Sequence, residues 1–498
     1  MKAHLAALLA AVLALFTWRP ALAETDLRKM VVEHNLANGM KFLLVRRGTA
    51  PVFTAYVRVK AGGADEQRGK TGLAHLFEHL AFKGTSVVGS RDWPKEQALL
   101  LEIARAGDEL AQPGLVEEKT RDLKARISDL SEKARALEHG NALTELLTRN
   151  GASNLNAETD KDLTSYYVSL PANRLELWAL LEASRLAAPV PRDFYAERSV
   201  VMEERRERVE NEPIGMLLEE LSTVAFTTSP YRWPVVGYPE DLESLSMRDA
   251  LEFHRAHYAP ANAVGAIVGD IDLEATKALL DRTFGAVPAR PPPPPLPASE
   301  APRRSERRST VYFDAASQLA VAFLKPTLPT RDDYIFDILQ LLTTEGRTSR
   351  LYKALVTDQG LCSDVTAAMM PGARLPHLFV ILVTPLADKP LDVVEKALFE
   401  ELDKLREDLM TPAELARVHT KLDADFSRQL ATNQGLAESL SFFEAVAGDW
   451  RYLADHRKTV ASITAEDVRA AARKYLVPEN RTVLRLTRPS LPAAEVAP

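Results

Sequence analysis

The sequence predicts an α+β protein of two homologous domains, each an antiparallel sheet packed with helices, with a helical hairpin inserted in the first domain. Three observations lead to this fold class. Apolar and polar residues alternate over residues 31–60 as they do in strands, later segments carry apolar residues at helical spacing, and one pattern of residues occurs twice. The length of 498 residues also exceeds that of a typical single domain.

The N-terminal strands are the first elements of the fold. Asn38 and Gly39 separate two apolar runs, and an Asn-Gly pair in that position is a strong indication of a β-hairpin. Residues 52–59 read as a further strand, which ends before Gly62 and Gly63. We therefore expect the sheet of the first domain to begin here.

The next segment, residues 71–84, predicts a buried helix that carries a metal site. His75 and His79 are four residues apart, so their imidazoles lie one turn apart on the same face. Two neutral imidazoles suit Zn²⁺, with a carboxylate as the usual third ligand and an open fourth position. Glu78 points toward the same place, where a carboxylate that does not bind the metal takes a proton from the metal-activated water. The alternative is a pair of structural histidines with an unrelated glutamate.

Residues 94–150 form a segment of a different character. Pro113 and Gly114 interrupt it, and beyond them apolar residues recur every seven positions among charged residues. These are Val116, Leu123, Leu130 and Leu137, with Ile127 and Ala134 between them. The pattern predicts a helical hairpin with a coiled-coil-like seam. The alternative is an amphipathic helix packed on its own domain.

A later helix, within residues 174–209, supplies a candidate third ligand. Glu197 and Glu204 are seven residues apart and therefore share one face. Two valines at 200–201 lie between them, which is consistent with a carboxylate that reaches into a buried metal site. Glu203 is the rival ligand, but it is turned about 100° away from Glu204 on a helix. The alternative is that these glutamates form a solvated face.

The repeated pattern defines the second domain. Residues 244–262 recur as residues 462–480 with a constant offset of 218. In each copy Ser or Thr precedes a helix, as capping residues do, and Pro-x-Asn precedes an apolar strand. Eight of the 31 prolines lie between Pro288 and Pro302, and such a run is stiff and extended.

These features predict the domain boundaries. We expect a first domain over residues 24–288, a proline-rich linker over 289–308, a second domain over 309–490 and a tail over 491–498.

Residues 1–23 are predicted to be a secretory signal peptide. Lys2 precedes an apolar run, and the Ala-Leu-Ala sequence at 21–23 has the form of a cleavage site, so we expect cleavage after Ala23. No later stretch approaches the roughly 18 apolar residues of a membrane span, so no membrane anchor is expected. Cys362 is the single cysteine, so no intramolecular disulfide can form. The lack of a disulfide is ordinary for a protein of the bacterial periplasm.

The charge excludes one class of function. The predicted signal peptide contains Lys2 and Arg19 and no acidic residue, so its removal changes the net charge from −7 to −9. Because there is no basic excess, nucleic acid is not expected as a partner.

Residues 72–85 resemble the pitrilysin/insulinase family of zinc peptidases, whose His-x-x-Glu-His signature marks the inverzincins. The chain is similar to bacterial two-domain members that resemble processing-peptidase subunits. The resemblance implies that His75, His79 and Glu204 bind one Zn²⁺ per chain. It also implies that Glu78 is the general base.

The resemblance extends to further residues around the metal. It implies that Glu197 supports the metal ligands from behind. Residues 151–167 match a strand at the edge of the sheet, where Asn156 and Ala157 bind the substrate backbone by β-augmentation. The last histidine of the motif and Glu204 are 125 residues apart. The family spacing is shorter, by about the length of the predicted insertion.

The second domain carries no metal motif and departs from the family at two positions. Val356 and Ser363 stand where the resemblance implies an Arg and a Tyr that bind substrate. We therefore expect a homologous chain without zinc to supply the Arg/Tyr pair, or a homodimer. In either case the resemblance implies two halves that enclose a chamber.

The motif and the resemblance together predict a secreted, periplasmic zinc endopeptidase. Its substrates would be peptides or unfolded polypeptide segments, cleaved by metal-activated water, and the chain would be the zinc-bearing subunit of a dimer. The alternatives are a non-catalytic scaffold and a peptide-binding subunit of the same fold.

Overall fold

The computed structural model describes residues 27–296, 300–301 and 303–489 of the chain. The predicted signal peptide and the predicted tail lie outside these residues. Two sheets packed with helices make up the described part, so the predicted α+β fold with two domains is confirmed. The domain boundaries themselves stay a prediction. No helix within the described ranges is long and apolar enough to pass through a membrane.

The first sheet has six strands in the order β1-β2-β6-β3-β5-β4. They are β1 (Val32–Asn35), β2 (Lys41–Arg46), β3 (Val52–Val59), β4 (Ser153–Thr159), β5 (Thr164–Pro171) and β6 (Ala263–Gly269). The predicted hairpin joins β1 to β2. Gly39 lies in its turn with a φ of +93°, a conformation that a residue without a Cβ adopts at little cost.

The second sheet has five strands in the order β7-β11-β8-β10-β9. They are β7 (Arg307–Tyr312), β8 (Gln318–Lys325), β9 (Cys362–Met370), β10 (His377–Pro385) and β11 (Arg481–Thr487). Strand β6 of the first sheet begins at residue 263 and β11 begins at residue 481, so these central strands keep the offset of 218 residues.

Neither sheet is purely antiparallel, which corrects the expectation for both domains. Strand β6 runs parallel to β2, and β11 runs parallel to β7. The remaining long pairs are antiparallel. The reason is that β6 and β11 return to their sheets after long helical connections. Such crossovers permit parallel pairing, whereas a short hairpin joins antiparallel strands.

The helices of the first domain pack with its sheet, except for Pro213–Ala225, which packs on the second sheet. They are α1 (Leu27–Met30), α2 (Leu73–Ala81), α3 (Trp93–Leu110), α4 (Glu117–Arg135), α5 (Ala142–Arg149), α6 (Leu175–Ala187), α7 (Phe194–Arg205), α8 (Pro213–Ala225), α9 (Pro239–Ser244), α10 (Met247–His257) and α11 (Leu273–Arg282). A π-helical turn, Arg206–Glu210, continues α7.

The helices of the second domain follow the same scheme. They are α12 (Arg331–Thr344), α13 (Leu391–Glu407), α14 (Pro412–Ala431), α15 (Asn433–Ala447), α16 (Arg451–Ala461) and α17 (Ala465–Tyr475). Helices α10 and α17 begin with matching capping boxes, formed by Ser246 with Asp249 and by Thr464 with Asp467. The internal repeat is therefore also a repeat of local structure.

The predicted helical hairpin is formed by α3 and α4. Leu123, Ile127 and Leu130 of α4 are buried together with Leu100 and Ile103 of α3, and all five belong to the main core of the first domain. The seam of the hairpin is thus also the face that packs on its own domain, so the two interpretations of this segment describe one arrangement.

Two residues of the predicted seam lie outside α4: Leu137 follows the end of the helix and is half-buried, and Val116 precedes its first residue. Val116 is the N-cap residue of α4 and is 67% exposed.

The two domains exchange helices. Leu217 and Leu221 of α8 pack against Ala320 and Leu484 of the second sheet. In return, α15 covers the first sheet, where Leu436 and Leu440 pack with Leu43, Val45 and Ala266. One face of each sheet is therefore buried by a helix that belongs to the other half of the chain.

A polar contact also joins the domains at the turn between β4 and β5. The buried Asp162 carboxylate accepts hydrogen bonds from the Tyr231 hydroxyl at 2.6 Å and from the backbone N–H groups of Ala373 at 2.6 Å and Arg374 at 2.9 Å. The Arg374 guanidinium in turn donates to Asp65 at 2.7 Å. The loop of the second domain thus contacts the first domain close to β4.

Glu300, in the predicted linker, is bound to the first domain. Its carboxylate accepts hydrogen bonds from the backbone N–H groups of Thr227 at 2.9 and 3.0 Å, Thr228 at 3.0 Å and Ser229 at 3.1 Å. The Thr227 hydroxyl adds a fifth bond at 2.6 Å. The connection between the domains is therefore fixed at this point.

Candidate metal centre

Helix α2 enters the core of the first domain, which fixes the direction of its histidines. Leu76, Phe77 and Leu80 are buried in that core. Gly72 precedes the helix as its N-cap, and its φ of +85° and close approach to the Gly237 backbone leave no room for a side chain. The Glu66 carboxylate accepts hydrogen bonds from the first N–H groups of the helix, which stabilises its N-terminus.

His75, His79 and Glu204 converge between α2 and α7. One ligand atom from each lies within 4.8 Å of the others. The distance from His75 Nε2 to Glu204 Oε1 is 3.6 Å, and the distance from His79 Nε2 to Glu204 Oε2 is 3.5 Å. The structure thus brings together two residues of one helical turn and a carboxylate from 125 residues further along the chain.

The donor set fits Zn²⁺. Two imidazoles and one carboxylate are a known ligand set of catalytic zinc, which leaves a position open. Burial lowers the pKa of His75 to about 4, so this imidazole is neutral at pH 7. Its Nδ1 is buried and has no hydrogen-bond partner among the described residues. The binding of zinc by the three residues stays a prediction.

Glu197, which the resemblance implies as a support of the metal ligands, lies next to His79. Its Oε2 is 3.2 Å from His79 Nδ1, and its Oε1 is 2.5 Å from Lys83 Nζ. The hydrogen bond with His79 and the contact with Lys83 outweigh burial and lower the pKa of Glu197 to about 2, so the carboxylate is an anion at neutral pH. Burial alone lowers the pKa of His79, but hydrogen bonds with Glu197 and Glu204 outweigh it and raise this pKa to about 9, so a metal on Nε2 would displace a proton while Nδ1–H stays bonded to Glu197.

Glu78 is close to the three converging side chains and is half-buried. Its Oε2 accepts a hydrogen bond of 2.6 Å from the Thr159 hydroxyl at the end of β4. Burial raises the pKa of Glu78 above its ordinary value. A carboxylate in this position can take up a proton more readily than one on the surface.

Asn156 and Ala157 lie on β4, the edge strand of the first sheet. Ala157 is buried and Asn156 is exposed. Strand β4 pairs with β5 on one side, and within the described part of the chain its other side carries no strand. Because Thr159 of the same strand contacts Glu78, this open edge adjoins the candidate metal centre.

Glu203, the rival ligand, lies outside the cluster. Its side chain is 59% exposed and accepts a hydrogen bond of 2.6 Å from Arg206. His254 lies outside the cluster as well, and its Nε2 is 2.9 Å from the Leu186 carbonyl oxygen in the core.

The two positions that depart from the family are in the second domain. Val356 lies half-buried in the π-helical segment Tyr352–Asp358. Ser363 lies on the edge strand β9, and its hydroxyl donates a hydrogen bond to the Thr384 carbonyl oxygen at 3.1 Å. Neither side chain can provide the charge of an arginine or the phenol of a tyrosine.

Sequence reasoning missed three residues that contact the site. Lys83 pairs with Glu197, the Thr159 hydroxyl donates to Glu78, and Arg208 pairs with Glu204 at 2.5 Å. The sequence contained a signal for Lys83 and Arg208. Lys83 follows His79 by four positions and Arg208 follows Glu204 by four, a spacing that places side chains on the same face of a helix. The contact of Thr159 arises from tertiary packing between β4 and α2.

Family models match both halves of the chain. The model described as "Insulinase (Peptidase family M16)" matches residues 41–110, and the model described as "Peptidase M16 inactive domain" matches residues 244–422. The chain belongs to the pitrilysin/insulinase family of two-domain peptidases, as its motif suggested.

Individual relatives agree with this assignment over most of their length. The chain is 25% identical to "Zinc protease PqqE" of Helicobacter pylori, with 91% of each chain covered. It is 22% identical to "Mitochondrial-processing peptidase subunit beta" of Lentinula edodes, with 91% of this chain and 89% of that protein covered.

Solved structures show the same fold. The crystal structure of a protease from Helicobacter pylori has a TM-score of 0.77 at 24% identity, with 92% of this chain and 99% of that chain covered. The first half of the periplasmic protease PqqL from Escherichia coli has a TM-score of 0.68 at 16% identity, with 93% and 92% covered.

Proposed function

We propose that the protein is an exported zinc endopeptidase that cleaves peptides or unfolded polypeptide segments. The observation that carries this proposal is the convergence of His75, His79 and Glu204 within 4.8 Å. These residues would hold one Zn²⁺, which supplies Lewis acidity to a water molecule and to the scissile carbonyl. Structural relatives that have lost activity would be expected to lose such residues, whereas this chain keeps them all.

Glu78 is the proton carrier in this proposal. Its carboxylate takes a proton from the attacking water and later gives that proton to the leaving amine. The raised pKa that burial causes brings Glu78 closer to the pH at which it works. The Thr159 hydroxyl donates to one carboxylate oxygen at 2.6 Å, and in this proposal the other oxygen accepts the proton of the water.

The open edge of β4 would bind the substrate. An extended peptide that adds to this edge would form main-chain hydrogen bonds beside Asn156 and Ala157, independent of its side chains. Such a mode requires an extended segment, which is why we propose peptides and unfolded polypeptides as substrates.

Export and pairing are further parts of the proposal. The predicted signal peptide supports a periplasmic location, and the PqqL structure is that of a protein called periplasmic. Because Val356 and Ser363 cannot bind substrate as an Arg/Tyr pair would, we propose that a homologous zinc-less chain supplies that pair, or that two copies of this chain assemble. A sharp rise in activity on mixing with such a partner would support the first form. Full turnover by the purified chain alone would contradict it.

Metal analysis and peptide hydrolysis test the function. We expect one zinc per chain and cleavage of an unstructured fluorogenic peptide that a chelator abolishes. Glu78→Gln should keep its zinc and lose at least about a hundredfold in kcat, since the proton carrier is removed and the ligands stay. Glu203→Gln, one turn before Arg206 on the exposed side of α7, is the matched control and should retain both.

A non-catalytic scaffold and a peptide-binding subunit remain the competing functions. A chain that binds no zinc would favour the scaffold. Peptide binding that a chelator does not affect, with no cleavage at any ratio of partner, would favour the binding subunit.

A further inference from the structure

A chain of charged contacts leads from the interior of the first domain to the metal centre. Arg192 and Glu96 form a fully buried ion pair, 1% and 0% exposed. The Arg192 guanidinium also donates to the carbonyl oxygens of Lys83 at 2.7 Å and Thr85 at 2.9 Å. The backbone of Lys83, just beyond the end of α2, therefore accepts a hydrogen bond from a fully buried, ion-paired side chain.

The Lys83 side chain continues this chain of contacts. Its Nζ is 2.5 Å from Glu197 Oε1, and the other oxygen of Glu197 is 3.2 Å from His79 Nδ1. Each oxygen of the carboxylate thus has one partner. The side chains of Lys83 and Glu197 are 18% and 15% exposed, so water screens their attraction only in part.

Several charged side chains lie around the candidate metal centre. Glu78, Glu197 and Glu204 bring three carboxylates together, and a bound Zn²⁺ balances two of them. Arg208 contacts Glu204, but its side chain is 74% exposed and its charge is therefore well screened. A zinc-bound His79 is neutral, which leaves Lys83 as the cation in contact with Glu197.

We infer that Lys83 is a positioning residue of the metal centre: its ammonium group holds the Glu197 carboxylate against His79 Nδ1 and thereby strengthens the binding of zinc. Without Lys83, the Glu197 carboxylate loses the partner of one oxygen and turns toward solvent. The His79 ring then loses the hydrogen bond that fixes its orientation. This inference rests on the proposed metal site.

Zinc affinity of the full chain, measured by competition with a chromophoric chelator, tests the inference without any activity assay. Lys83→Met should raise the Kd for zinc about tenfold, the lower end of the effect of losing a group behind a metal ligand. Lys83→Arg keeps the cation and should stay within about threefold of the wild type. Lys95→Met, at an exposed lysine paired with Asp92, is the matched control and should leave the Kd unchanged.

A double-variant cycle separates positioning from a general structural role. If Lys83 acts through Glu197, Lys83→Met should change the Kd by less than about twofold in a Glu197→Gln background. An equal loss in both backgrounds, or an unchanged Kd for Lys83→Met alone, would overturn the inference. Thermal unfolding of the metal-free variants checks the fold, with Lys83→Gln as a second variant. If neither variant folds, Lys83 is a structural residue and the inference is wrong.

The same experiment distinguishes this inference from the proposed function. A wild-type chain that binds no stoichiometric zinc would remove the proposed function. A wild-type chain that binds zinc while Lys83→Met matches it would remove the inference alone.

Discussion

At the scale of single residues, two neighbouring carboxylates have opposite electrostatic environments. A hydrogen bond with His79 lowers the pKa of Glu204, whereas burial raises the pKa of Glu78. Glu204 is thereby kept as an anion, the form that binds a metal, and Glu78 is made ready to hold a proton. Both residues are glutamates in the sequence, and only their different environments in the fold account for the different roles that we propose for them.

Thr159 offers a test of the Glu78 environment. Thr159→Val removes the hydroxyl that donates to Glu78 Oε2 at 2.6 Å and keeps the shape of the side chain. We expect kcat for peptide cleavage to fall about tenfold with KM little changed, because the loss affects the proton carrier and not the bound substrate. Thr159→Ser restores the donor and should recover most of the rate. A fall in kcat of equal size in both variants would contradict this role.

At the scale of elements, the buried ion pair of Glu96 and Arg192 connects helix α3 to the loop that follows helix α2. Both side chains are fully buried, so the removal of one leaves an uncompensated charge in the core. This contact makes α3 part of the support of the candidate metal centre.

We expect Glu96→Ala to lower the free energy of unfolding by about 3–5 kcal/mol, measured by urea denaturation. Glu102→Ala on the same helix is the matched control. Its side chain is 46% exposed and reaches Arg126 at 3.4 Å, so its loss should cost less than about 1 kcal/mol. The double variant Glu96→Leu/Arg192→Met should recover part of the stability. If Glu96→Ala and Glu102→Ala lowered the free energy of unfolding equally, the buried ion pair would contribute no more to stability than the exposed one.

The linker contact of Glu300 predicts a pH dependence. Burial alone raises the pKa of Glu300, but hydrogen bonds from residues 227–229 outweigh it and lower the pKa to about 2. The folded pKa lies below that of an unfolded glutamate, about 4.3. The stabilisation is therefore complete above that value and is lost as the pH falls toward about 2.

Glu300→Gln should lower the free energy of unfolding by about 1–2 kcal/mol at pH 7. The difference from the wild type should shrink between pH 5 and pH 3 in urea titrations. Glu274→Gln, at a side chain that is 83% exposed, is the control and should show no such trend. A difference that stays constant with pH would contradict the role of the Glu300 charge.

The sequence predicted those features that depend on neighbouring residues. The hairpin at Asn38-Gly39, strand β3, and the face shared by Glu197 and Glu204 all follow from local spacing, and the structure has them. The parallel pairs and the exchanged helices were not predicted, because apolar periodicity shows that a face is buried but not what buries it. The contact of Thr159 with Glu78 was missed for the same reason.

At the scale of the whole molecule, the exchange of α8 and α15 joins the stabilities of the two domains. Leu221 of α8 completes the core of the second sheet, and Leu440 of α15 completes that of the first. Unfolding of either domain exposes an apolar face of the other. We therefore expect one cooperative transition and not two.

Hydrogen exchange with mass spectrometry in rising urea tests this cooperativity. Peptides from β3 and β8 should lose protection at the same urea concentration. Leu221→Ala and Leu440→Ala should each lower both midpoints together, at a cost of about 2–5 kcal/mol. Val393→Ala, at a valine that is 47% exposed on α13, should change neither midpoint. Separate midpoints for the two strands would show that the domains unfold independently.

The exchanged helices also change what a break in the backbone would mean. A protease that cut the proline run would yield two fragments. We expect them to remain associated through the exchanged helices, as a single complex, until they are denatured. Either fragment expressed alone would lack the helix that buries one face of its sheet, and we expect it to aggregate. The two fragments expressed together should assemble into the native fold.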